Sequence, residues 1–151
     1  MSSGGSDSDV LFLAHPQAPK YFVSVIYHIL TASEWEVALR RPFYQHATFE
    51  ADGYIHCCTA EQLKYVGDHY FRGQRDLVIL CIDAALVAAS IKYEDLNAEG
   101  MLFPHIYGML NLNAVKKVVL FPPSADGTFL APHAIAHVHG ERKDRTHLDS
   151  R

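Results

Sequence analysis

Tyr27-His28-Ile29, Tyr54-Ile55-His56-Cys57 and His105-Ile106-Tyr107 set three histidines in closely similar surroundings. Each imidazole has a tyrosine one or two positions away. Its other neighbours are mostly of the aromatic and β-branched types that favour strands. A strand sends alternate side chains to one face, so a sheet built from these segments can aim several imidazoles and phenols into one cleft. Histidine titrates near neutral pH, and such a cleft suits general acid–base chemistry or the grip of a phosphate. The expected product is an enzyme acting on a small molecule.

Other residues extend this set. A strand ending at His56 runs into Thr59-Ala60-Glu61-Gln62, a capping-box spacing that opens a helix. The unpaired amides and positive dipole end of that helix suit an anion, with His56 and Thr59 beside it. Arg72 and Arg75 flank the helix's far end and are candidates to hold a phosphate, although arginines there also suit a solvated turn. Glu94, after Tyr93 at a strand end, is the carboxylate placed to orient a histidine or act as base. Tyr27, Tyr54 and Tyr107 are candidate substrate contacts or donors. His133, His137 and His139 have a spacing that suits a metal, but no carboxylate or cysteine pattern completes it, and no metal site is assigned. Cys57, Cys58 and Cys81 lack zinc-type spacing and read as buried filler. His15, His46, His69 and His147 read as surface or loop residues. A glycine-rich dinucleotide loop, a Walker loop, a G-x-S-x-G elbow and an H-E-x-x-H helix are all absent.

The elements that must position these residues follow from pattern. Residues 21–29 read as a first strand. Ser33 with Glu36 fits a capping box for a short helix reaching Arg40 or Arg41, with Trp35 and Leu39 as its buried stripe. A loop runs to the Asp52-Gly53 turn, and 54–58 make a second strand. A helix over about 60–71 turns Leu63, Val66 and Tyr70 inward. Residues 76–83 are an unbroken apolar run with the look of a central strand, and 91–94 a shorter one. Pro104 confines 103–108 to a strand start, an edge or a loop. Residues 117–121 form a late strand, followed by a last segment around 128–138. Few helices, strands dominating after residue 76 and no βαβ alternation predict an α+β fold with a mixed or antiparallel sheet.

At 151 residues, 49% hydrophobic and 20% charged, the chain suits one domain with a real core. That domain is expected over 21–139, between a loose tail at 1–20 and a polar tail at 140–151. A formal charge of −4 argues against a DNA binder that works through a basic field. No apolar run approaches the roughly 20 residues that span a bilayer. The first nine residues lack the basic stretch of a signal peptide, and three cysteines, two of them adjacent, suit a reducing compartment; the expected location is the cytoplasm. Oligomeric state is not legible.

Gly53-Tyr54-Ile55-His56-Cys57-Cys58-Thr59 and Phe103-Pro104-His105-Ile106-Tyr107-Gly108-x-Leu110, with Tyr27-His28-Ile29-Leu30, Asp76 to Asp83 and Lys92-Tyr93-Glu94 in the same order, resemble the family known as domain of unknown function 952. The resemblance runs from about residue 25 to 129; Cys58 stands where the family more usually has serine. It implies an ADP-ribosyltransferase-like fold, a split and mostly antiparallel sheet with a nucleotide cleft. It also implies NAD as a candidate substrate, with no certain cofactor. His28 is similar to the first-strand histidine that binds a ribose hydroxyl in that superfamily, and Tyr54 or His56 would lie near the nicotinamide. The superfamily's catalytic glutamate has no clear counterpart; His105 and Glu94 lie nearest its place. Three functions stay open: an enzyme that binds NAD or a related phosphorylated nucleotide and transfers or cleaves at the ribose; a cofactor-free cyclase, isomerase or hydrolase using the histidines as acid and base; and a ligand-binding module without chemistry.

Overall fold

The computed structural model describes residues 24–135. The expected tails at 1–20 and 140–151, the opening of the first strand, and His15, His137, His139 and His147 lie outside the described residues. In chain order the elements are β1 (Val25–Thr31), α1 (Ala32–Ala38), β2 (Phe43–Tyr44), α2 (Phe49–Asp52), β3 (Ile55–His56), α3 (Leu63–Tyr70), β4 (Leu77–Asp83), β5 (Ser90–Glu94), β6 (Phe103–Tyr107), β7 (Leu110–Asn111) and β8 (Val115–Leu120). Two three-stranded antiparallel sheets, ordered β1-β4-β8 and β3-β6-β5, are accompanied by the short β2-β7 pair. The class is α+β, mostly antiparallel, with few short helices.

β1 and β4 are covered on both faces, which is why neither shows polar alternation. Ile26, Leu30, Val78, Leu80 and Ile82 pack with Ile55 and Ile106 of the other sheet. Tyr27, Ile29, Leu77, Ile79 and Cys81 pack with Leu63 of α3 and with Phe121 and Phe129. The chain beyond β3 stitches the two sheets together. Cys57 N–H donates to the Pro104 carbonyl, and Cys58 exchanges two 2.8 Å backbone bonds with Tyr27 of β1. The cleft lies beside this crossing.

Several local expectations are corrected. His28 sits mid-strand in β1, not at a strand end. The capping box of α1 is Thr31 with Glu34, not Ser33 with Glu36: the Thr31 hydroxyl accepts from Glu34 N–H and the Glu34 carboxylate accepts from Thr31 N–H. Both pairs have the required spacing. The sheet chooses between them, because Ala32 N–H still reaches back to Asp76. Leu39 is 58% exposed beyond the helix end, and Ala38 is the buried position. The segment before Asp52-Gly53 closes into the helical turn α2, with Gly53 left-handed at φ +84°. The second strand is only two residues long, and α3 proper follows a 3₁₀ turn over Ala60–Gln62. Tyr70 is 48% exposed, and the inner face of α3 is Leu63 and Gly67. Pro104 lies in β6, the middle strand of its sheet. It is tolerated because its backbone faces β3, where Cys57 bonds to its carbonyl just past the end of the two-residue ladder, so no ladder donor is lost.

Candidate active site

Register is what gathers the histidines. In the β3–β6 pair, His56 stands directly opposite His105. Cross-strand partners project to the same face, and the two rings lie 5.5 Å apart at 75°. Each has its own carboxylate. His105 Nδ1 lies 2.9 Å from Glu94 Oε1 on the neighbouring strand β5, and His56 Nε2 lies 2.8 Å from Asp52 Oδ2 at the end of α2. As a carboxylate only accepts, both imidazoles donate. That leaves Nε2 of His105 and Nδ1 of His56 for proton exchange. The His56 bond is the main reason the Asp52 carboxyl titrates below its ordinary range. For Glu94 the His105 bond comes first, then the Tyr107 hydroxyl, which donates to the same oxygen at 2.7 Å. That bond also raises the Tyr107 phenol to about 12. Tyr54 stacks on His105 with ring centres 4.2 Å apart, clamping the ring over its carboxylate.

His28 differs in kind. It is buried, with Nδ1 2.6 Å from the His56 carbonyl and Nε2 3.0 Å from the Tyr44 hydroxyl. A carbonyl only accepts, so Nδ1 carries the proton and Nε2 accepts from Tyr44. Burial depresses its pKa to about 4 and pushes that of Tyr44 well above the ordinary phenol value. Both groups are therefore neutral at physiological pH. His28 holds the backbone of the residue that carries the second imidazole. His46 completes the cluster, 5.4 Å from His28 ring to ring, with Nδ1 accepting from Thr48 N–H.

These groups wall a cavity of about 310 Å³. Tyr27, His28, His46, Asp52, His56 and His105 line it, as do Val66, Tyr70, Phe71, Phe103, Leu96 and Glu99. Cys57 and Cys58 also reach the wall, but burial keeps both thiols protonated, Cys58 up to about 12. No lysine or arginine is among the described lining residues. Glu94, Tyr54 and Tyr107 stand behind the wall, bonded to or stacked on His105.

Thr59, Arg72 and Arg75 are not brought in. Thr59 lines a different hollow, and its N–H is taken by the Gln62 side chain at 2.9 Å. Arg72 and Arg75 are exposed, outside the cavity. The expected phosphate cradle is thus not assembled around the histidines. Tyr44, His46, Asp52 and Glu99 enter the site from segments read as loop or turn. His46, expected at the surface, is half-buried in the wall. The Asp52–His56 spacing of four was the one available signal, and it needs α2 to become legible. Among the described residues no cluster is arranged to hold a metal ion, and no helix is long and apolar enough to cross a membrane.

Residues 29–118 match the family described as "Protein of unknown function (DUF952)". The crystal structure of protein CC0527 from Caulobacter crescentus is similar at 32% identity and a TM-score of 0.64, covering 71% of this chain and 94% of that one. Its solution NMR structure is similar at 33% identity and a TM-score of 0.61, covering 69% and 90%. No curated protein matches.

Proposed function

The chain belongs to this DUF952 family of domain of unknown function 952 proteins, and from its site we propose that it is a cofactor-free acid–base enzyme, a cyclase, isomerase or hydrolase, acting on a small organic molecule. The observation that carries this is the facing pair His56 and His105, each bonded to a carboxylate and both on one cavity. A base needs a fixed tautomer and a partner for the charge it acquires. Glu94 supplies both to His105, leaving Nε2 to take a substrate proton. Asp52 supports the protonated form of His56, which returns a proton from Nδ1 at a second substrate atom. His28, neutral and doubly bonded, acts as a positioning residue. The Tyr107 hydroxyl is committed to Glu94, so it tunes the carboxylate and does not serve a developing oxyanion.

An ADP-ribosyltransferase-like site that binds NAD is the second reading. It is favoured by His28 lying on the first strand at the wall of a cleft beside a split sheet. Against it stand the absence of lysine and arginine from the described lining and the outside positions of Thr59, Arg72 and Arg75.

Ligand-observed NMR of the purified protein against a fragment library together with NAD and ADP-ribose separates the two. Fragments that bind are then followed in D₂O for deuterium uptake or conversion. An organic fragment should bind and react. The His105→Gln protein should bind it within about twofold yet lose about 10²-fold or more in rate. Equal rates in the two proteins would sink the acid–base reading. Binding of NAD or ADP-ribose that is lost in His28→Ala would replace it with the nucleotide reading.

A further inference from the structure

Glu99 is a cavity-wall carboxylate that the proton-transfer scheme does not use. Its Oε1 accepts from the Tyr65 hydroxyl at 2.7 Å, and its Oε2 from the Tyr70 hydroxyl at 2.5 Å and from Asn97 Nδ2 at 3.2 Å. All three donors are neutral. A carboxylate offers about four acceptor positions, so Oε1 keeps one unused. The donors, the Tyr70 hydroxyl first, hold the carboxyl below its ordinary range, so it is ionised. Among the described residues no lysine, arginine or histidine makes an ion pair with it. His69, the titratable base on the same helix as its tyrosines, stacks on Tyr65 and lies edge-on to Tyr70. The other carboxylate of the wall, Asp52, is hydrogen-bonded by the His56 Nε2–H at 2.8 Å.

The wall thus carries a carboxylate that makes no ion pair, with only a weak electrostatic pull from His69, beside apolar and aromatic surface from Val66, Tyr70, Phe71 and Phe103. Aromatic faces and a carboxylate both attract cations. An anionic ligand would have to sit beside this carboxylate with no lysine or arginine in the described lining to offset it.

Resting on the reading of this cavity as the ligand site, we infer that the ligand is a small organic cation: an ammonium or amidinium nitrogen donating to Glu99, on an apolar body that lies along Val66, Phe71 and Phe103. Held there, it shares one cavity with His56 and His105.

3-Phenylpropylamine, 3-phenylpropanol and 3-phenylpropionate test this, because they share a body and differ in head-group charge. Their affinities are measured by saturation-transfer NMR and calorimetry on the full chain and on Glu99→Gln, whose amide oxygen still accepts from one tyrosine while its amide nitrogen donates to the other's hydroxyl oxygen. The amine is expected to bind about tenfold or more tighter than the propionate, the scale of a charge-assisted hydrogen bond. Glu99→Gln should abolish that preference while leaving the alcohol within about twofold, a sign that the cavity is intact. Binding of the alcohol with no preference for the amine overturns the cation inference alone. So does a preference that survives Glu99→Gln. Failure of all three compounds to bind overturns the cation inference and the cavity reading together.

Discussion

With Nδ1 on the His56 carbonyl and Nε2 on the Tyr44 hydroxyl, His28 has both ring nitrogens committed inside the protein. Tyr44→Phe keeps the shape and leaves the buried Nε2 acceptor without its donor. The expected cost is about 1–3 kcal/mol of stability, read from urea unfolding. A loss under about 0.5 kcal/mol, typical of a surface change, would mean that the bond contributes nothing. At this scale the sequence pointed to His28, His56, His105 and Glu94, because strand-type neighbours mark them. It did not point to Tyr44, Asp52 or Glu99. Tyr44 bonds to His28 from a two-residue strand, and Asp52 and Glu99 reach the cavity from a single helical turn and a loop; short segments like these have too little periodicity to show which way a side chain points.

Elements turn on smaller margins. α3 packs its Gly67 against two buried phenylalanines: a Cβ there would lie 2.7 Å from Phe129 Cβ and Cγ and 3.1 Å from Phe121 Cζ. In a free helix, alanine would gain about 1 kcal/mol over glycine. Here overpacking costs about 1–3 kcal/mol, and Phe129, fully buried, has no room to yield. Gly67→Ala is therefore expected to lower the melting temperature; a rise would show that helix propensity outweighs packing. The same contest explains what was legible. β4 was read nearly to its ends, since a long apolar run dominates locally; α3 was read to within a residue of its end, but the first three residues expected of it form a 3₁₀ turn. The start of α1 was read two residues late, since two capping pairs overlap and only the sheet's bond from Ala32 to Asp76 selects between them. Pro104 argued for an edge, and only the early end of β3 admits it to the middle of a sheet.

Across the whole molecule, the buried imidazole links folding to pH. His28 titrates at 6.5 ordinarily and at about 4 when folded. Below pH 6.5 the unfolded chain binds the proton that the native state refuses. The stability due to neutral His28 is thus fully present above 6.5 and is lost as pH falls toward 4, by about 3 kcal/mol in total. Asp52, Glu94 and Glu99 are all held below their ordinary range; the two glutamates begin to add further loss as pH falls past 4.5, at the acid end of this window, and Asp52 below 3.8. Unfolding free energies measured between pH 7.5 and 4 should slope downward through that window, and His28→Gln should flatten the slope. An unchanged slope in the variant would place the titrating group elsewhere. The α+β class, the central apolar strands and the identity of the three histidines were settled by the sequence, because composition and periodicity act over neighbouring residues. Tertiary structure alone decided that His56 faces His105 and that Thr59, Arg72 and Arg75 stay outside. Those outcomes depend on strand register and on where two sheets meet, and contacts between residues dozens of positions apart leave no local trace in the chain.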